Sequence, residues 1–238
     1  MLIAILNQSS GATGVTGVTD ADVATMTAAI ATQIQVDVAP AWDRAPATVT
    51  FYNNASAVPA GAYGVAIVNT IQDQPQGMLG YHAENWGVVA TQPEFANGAQ
   101  VLTGDWSVSS TLSHEVLEMF IDPACNLLAV DGQGSAYSLE VCDPVEAPTY
   151  TVNGVSVSNF VFPSWFDPLP PAGARFDKLG QVTAPFTIAA GGYANYVNGG
   201  QVKQQWGTKY PAWRKAMKTP PTAPPTARSH RLLASYHM

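Results

Sequence analysis

The chain has 238 residues, 47% hydrophobic and 11% charged, enough apolar material for one large domain or two fused subdomains, which excludes disorder as a description of the whole. Its net charge of −7 is unevenly spread: residues 1–174 hold sixteen acids and a single base, Arg44, whereas residues 175–238 hold nine bases and one acid, Asp177. No run of 18 apolar residues occurs and MLIAILNQSS lacks the positive region of a signal peptide, so neither a membrane span nor export is expected, and the reading is a cytoplasmic chain at synthesis.

LIAILN (2–7) predicts a buried strand, followed by a glycine-rich loop, SSGATGVTG. That loop lacks the lysine and Ser/Thr ending with which a phosphate-binding loop grips phosphate and magnesium. Thr19 and Asp20 are capping candidates for a helix that Pro40 stops. ATVTFYN (47–53) and YGVAIVN (63–69) predict two more strands, and GYHAENWGVVATQ (80–92) an irregular strand or hairpin at a sheet edge. The first half is therefore an α/β layer.

SHEVLEMFIDP (113–123) belongs to a helix that begins near Asp105 or Ser107. At about 100° per residue, Ser107, Thr111, His114, Glu115, Glu118 and Asp122 share one polar quadrant, opposite Val108, Leu112, Val116, Met119 and Phe120. His114 and Glu118, one turn apart, can converge on one point, and Glu115 lies beside it. A metal with an activated water needs this arrangement: two ligands and a carboxylate near enough to take the water's proton. An amphipathic helix with a stray histidine is the plainer explanation. With four histidines and six glutamates in the chain, however, a chance His-Glu-x-x-Glu is expected in roughly a few chains per thousand. SLEVCDPVEA (138–147) offers a third ligand in Glu140, with Asp143 close behind. Asp122 is the alternative third ligand, although Pro123 makes a capping role equally natural. Asp131, Asp143 and Glu146 could ligate calcium, but no Asp-x-Asp-x-Asp-Gly loop is present. Cys125 and Cys142 lie near these segments, either bridged, which would fasten them together, or as two buried free thiols.

His114-Glu115-x-x-Glu118 followed by Glu140-x-x-Asp143 resembles the zincin metallopeptidases, in the branch whose third zinc ligand is a glutamate on a later segment. The family pattern is His-Glu-x-x-His, and here Glu118 replaces the second histidine. A site with two carboxylates and one histidine is more anionic, shifts ion preference and makes a bound water less acidic. The resemblance covers about residues 1–146 and implies His114, Glu118 and Glu140 as metal ligands, zinc as cofactor, Glu115 as general base and Asp143 as the acceptor that orients His114. The SHEVLEMFIDP, EVCDPVE and VSVSNFVFPSWF segments are also similar to bacterial and bacteriophage proteins with the same order of motifs, a resemblance that implies a phage gene product or virion protein but supplies no activity.

TYTVNGVSVSNFVFPSWF carries an Asn153-Gly154 turn between alternating runs, a hairpin signal. PFTIAAGGYANYVNGGQVKQQWG adds strand and turn signals, so residues 147–210 read as mainly β. This part covers the core and site, and Tyr150 or Tyr193 could stabilise an oxyanion there. Trp86, Trp106 and Trp165 are expected in the core. TPPTAPPTA (219–227) reads as an extended linker before the basic end RSHRLLASYHM, either a fraying tail or a docking arm.

The expected whole is an α+β fold: a zincin-like α/β part over 1–146 with the active-site helix, a mainly β covering part over 147–218, and a Pro-rich linker with basic tail over 219–238. Two functions fit. One is a metal-dependent, peptidase-like hydrolase acting on a peptide or protein. The other is a non-catalytic phage or bacterial structural protein on a zincin scaffold, whose basic tail serves self-assembly or a virion partner. Glu115 favours the first, because a purely structural ion needs no base beside it; the low charge, 18 prolines and oppositely charged tail favour the second.

Overall fold

A computed structural model describes residues 1–9, 17–71 and 78–214 of the chain. Most of the glycine-rich loop and the whole linker and basic tail fall outside them. Helix and strand each account for 27% of the residues, so the fold is mixed α+β.

Strand β1 (Leu2–Asn7) leads into helix α1 (Asp20–Gln33), which opens with a capping box: the Thr19 hydroxyl accepts from Asp22 N–H and the Asp22 carboxylate accepts from Thr19 N–H. The helical run ends at Ala41, one residue past Pro40 and close to where the sequence suggested, but it is not uniform. A π-helical segment, Ile34–Val38, carries it on into α2 (Ala39–Ala41); the wider turn accommodates a ring that has no N–H to donate. Strands β2 (Thr48–Tyr52), β3 (Tyr63–Val68), β4 (Gly80–Ala83) and β5 (Trp86–Ala90) follow, then α3 (Thr91–Ala96) and α4 (Val108–Ile121). The first sheet has the order β2-β1-β3-β5-β4, parallel throughout except for β4, which turns back on β5 as an antiparallel edge strand. Helix α1 packs on β1 and β2, α4 packs on β3, β4 and β5, and the helices touch each other, so both lie on one face of the sheet.

Beyond α4 come β6 (Leu128–Val130), β7 (Ala136–Ser138), β8 (Thr149–Val152), β9 (Val155–Ser158), β10 (Tyr193–Asn198) and β11 (Gln201–Trp206). Asn153 and Gly154, both at positive φ, turn the β8–β9 hairpin, as their sequence signal predicts. Gly199 and Gly200, at φ 57° and 72°, turn β10 into β11. The second sheet, β11-β10-β7-β6, joins strands from both sides of residue 146.

One apolar core runs through all layers, with Ile3, Ile5, Ile30, Leu112, Met119 and Trp165 fully buried. Helix α4 lies inside it. The sequence suggested a helix with one polar side, but every α4 residue except Thr111 is buried, because α1, the first sheet and β9 enclose it. Trp86 also departs from expectation. It is 42% exposed, with its ring lying across Gly64 of β3, where a Cβ would come within 2.1 Å of it. No helix among the described residues is long and apolar enough to cross a membrane.

Candidate metal centre

Helix α4 starts where Ser107, in extended backbone, accepts from Ser110 N–H, and it ends at Asp122. Asp122 serves its own turn: its carboxylate accepts from the N–H groups of Asn126 and Leu127 at 3.2 and 2.9 Å. It belongs to neither of the two clusters described next.

Between those ends the helix brings His114, Glu115 and Glu118 to one buried region. His114 Nε2 is 3.3 Å from Glu118 Oε1 and 3.2 Å from Asp143 Oδ1. Asp143 opens a short 3-10 turn (Asp143–Val145), and the preceding Cys142 N–H donates to Glu118 Oε1 at 3.3 Å, tying that turn to the helix. The three donor atoms that His114, Glu118 and Asp143 can offer lie within 4.8 Å of one another. Glu118 is shared with a second compact set, His82, Glu118 and Glu140, that meets the same criterion. All five residues are under 9% exposed. The spacing therefore divides the sequence-derived ligands: Glu118 sits between Asp143, which meets His114, and Glu140, which meets His82 of β4.

Sequence reasoning missed His82. It lies on a four-residue strand with no periodic pattern, and its partners are far away along the chain. Its scarcity as one of four histidines is the only signal the sequence offers. Its Nδ1 lies 3.4 Å from Cys125 Sγ, and the Cys125 thiol approaches the His82 carbonyl at 3.7 Å. Cys125 and Cys142 are both buried and form no disulfide. Glu115 reaches up against β4: a Cβ on Gly80 would come within 2.8 Å of Glu115 Oε1, so only a glycine leaves that carboxylate its space.

The charge balance fits a cation. Burial opposes protonation of His114, yet the carboxylates of Glu118, Asp143 and Glu115 outweigh it, so without an ion the ring holds a proton well above the ordinary histidine range. Two atoms bound to one ion at about 2.1 Å in tetrahedral geometry lie about 3.4 Å apart. The 3.2 and 3.3 Å separations around His114 Nε2 are ion-pair distances, and an ion could replace the shared proton with little movement of these groups.

Of the two tyrosines expected at the site, Tyr193 is the one nearby. It is buried at the start of β10, and burial together with the charges of Asp143 and Glu146 holds its phenol protonated well above the usual range. Gly192 makes that placement possible, since a Cβ there would come within 2.2 Å of the Pro144 carbonyl oxygen. Tyr150 instead donates to Asp37 Oδ2 at 2.8 Å and accepts from Gln33, on the α1 side. Next to Tyr193, Glu146 accepts from the Tyr210 hydroxyl at 2.7 Å and pairs with Arg214. The Arg214 guanidinium stacks 5.0 Å from the Trp106 ring centre and 5.7 Å from that of Trp213. This base and tyrosine were also invisible in the sequence.

Comparison with protein-family models, with curated proteins and with solved structures returns no match. The functional reading therefore stands on the geometry.

Proposed function

We propose that the chain is a metal-dependent hydrolase of peptidase-like type, with His114, Glu118 and Asp143 holding a divalent ion, zinc by the character of the donors, and Glu115 acting as general base. The observation that carries this reading is the convergence of one imidazole and two carboxylates on a buried point, with Glu115 one position along the helix from His114. The layout of a helix beneath a sheet whose antiparallel edge strand borders the site supports the zincin-like reading of the fold. When bound, the ion would supply Lewis acidity toward a carbonyl and toward water.

The chain's own groups supply the rest. Glu115, buried and pressed against Gly80, is placed to accept a proton from water and return it to a leaving amine. Tyr193 keeps its proton and can donate a hydrogen bond to a developing oxyanion. Among the described residues β4 is an edge strand of the sheet, to which an extended peptide could add.

The burial of all the site groups favours a second reading, in which the same ion is structural and the chain is a phage or bacterial assembly protein on this scaffold. Replacing Glu115 by Gln separates the two. Catalysis predicts peptide-hydrolysing activity in the parent and a drop of roughly 100-fold or more in E115Q, with metal content unchanged. A metal-loaded parent with no activity on an unbiased peptide library, or activity equal in E115Q, would overturn the hydrolase reading.

A further inference from the structure

The cluster holds more ligand capacity than one ion uses. Glu118 belongs to two triads whose other members do not overlap: His114 and Asp143 on one side, His82 and Glu140 on the other. A carboxylate has two oxygens, so one glutamate can serve two ions at once, one oxygen to each. His82 is fully buried, and Gly87 of β5 packs against it closely enough that a Cβ would come within 3.0 Å of His82 Cβ.

The environment of His82 is compatible with metal binding. In the tautomer with the proton on Nδ1, the Cys125 sulfur can accept that proton while the thiol donates to the His82 carbonyl, and Nε2 keeps its lone pair for an ion. The charges agree. Glu115, Glu118, Glu140 and Asp143 are gathered in a region under 9% exposed, carrying four negative charges when ionised. One divalent ion balances half of that, and two balance it with both imidazoles neutral, the form in which imidazole binds metal.

We infer that the chain binds a second divalent cation, held by His82 and Glu140 and bridged through Glu118 to the ion at His114 and Asp143, so that the centre is dinuclear. The inference rests on the first ion of the proposed function and adds a site to it. One nitrogen and two carboxylates suit zinc or manganese at the second position. Glu118 is then the residue common to both ions, and its place one turn after His114, where the zincin pattern has a histidine, becomes the feature that permits a pair.

The 238-residue chain, stripped with chelator and titrated with zinc, would be measured by calorimetry and by elemental mass spectrometry after gel filtration, alongside H82A, H114A and E118Q. Two zinc equivalents in the parent, one in each histidine variant and weakened uptake of both in E118Q are expected. One equivalent in the parent that survives H82A and is lost in H114A overturns the second ion and leaves the proposed hydrolase site standing. One equivalent lost in H82A and kept in H114A also overturns the pair and moves the metal site to β4. No zinc in the parent overturns both readings. The parent's stoichiometry decides even where a variant fails to fold. As a second readout, the manganese-loaded parent should give the electron paramagnetic resonance pattern of an exchange-coupled pair; spectra of isolated ions at full loading refute the bridge.

Discussion

Two corners of the same buried acidic region handle their charge differently. At Glu146 the protein supplies its own cation: Arg214 pairs with the carboxylate, Tyr210 donates to it, and Trp106 and Trp213 flank the guanidinium. A few residues earlier along the chain, Glu140 and Asp143 join Glu115 and Glu118 around two imidazoles, groups whose charge depends on protons or on an ion. The first corner draws its cation from the chain, and the second, on the proposed function, draws it from solution. A buried ion pair is weak evidence for a functional site, whereas carboxylates gathered around imidazoles form a donor set that suits a metal.

The comparison breaks most visibly at Arg214. Replacing it by Met leaves Glu146 charged and buried, which should cost about 3–5 kcal/mol in chemical denaturation. Adding Glu146→Gln should restore most of that loss, and a double variant as unstable as the single one would mean that Arg214 acts by packing instead. Zinc should act only on the other corner. At a hundredfold excess over its dissociation constant each ion stabilises the fold by about 2.7 kcal/mol. R214M should therefore keep the full zinc-dependent rise in melting temperature, while H114A loses at least half of it. An equal rise in H114A would place the zinc elsewhere.

Much of the framework was legible in the sequence because it is local. The strands at 2–7, 48–52 and 63–68, the edge hairpin, the capped start of α4 and the Asn153-Gly154 turn each carry their signal within a few residues. The same holds for His114, Glu115 and Glu118, which one helix holds together whatever surrounds it. What was not legible depends on distant contact. His82 reaches Glu118 and Glu140 only because β4 folds back as the edge strand over α4. β6 and β7, three residues each, are too short to show a period and exist as strands because β10 pairs with β7. The polar quadrant of α4 names its residues but not their surroundings, since nothing in an amphipathic pattern says whether its polar side meets water or another acidic segment.

Glu94 shows a third way to bury an acid, and yields the most specific effect. It lies in α3 with no exposed surface, and its Oε1 accepts a hydrogen bond from Thr111 of α4. Burial raises its carboxyl from 4.5 to about 8, against the lowering influence of the Thr111 hydroxyl and the Arg214 charge. In the folded chain it therefore keeps its proton where the unfolded chain has lost it. Its contribution to stability is complete below pH 4.5, declines as pH rises through the interval up to about 8, and is level beyond that. One proton gives a slope of about 1.4 kcal/mol per pH unit. Glu94→Gln, which mimics the protonated form, should remove that slope and make the variant more stable than the parent, relative to acid pH, once the solution is alkaline. Denaturation of the two proteins side by side cancels the titration of every other group. Parallel pH profiles would show that Glu94 is ionised in the fold and leans on Arg214, joining it to the first corner instead of standing apart from both.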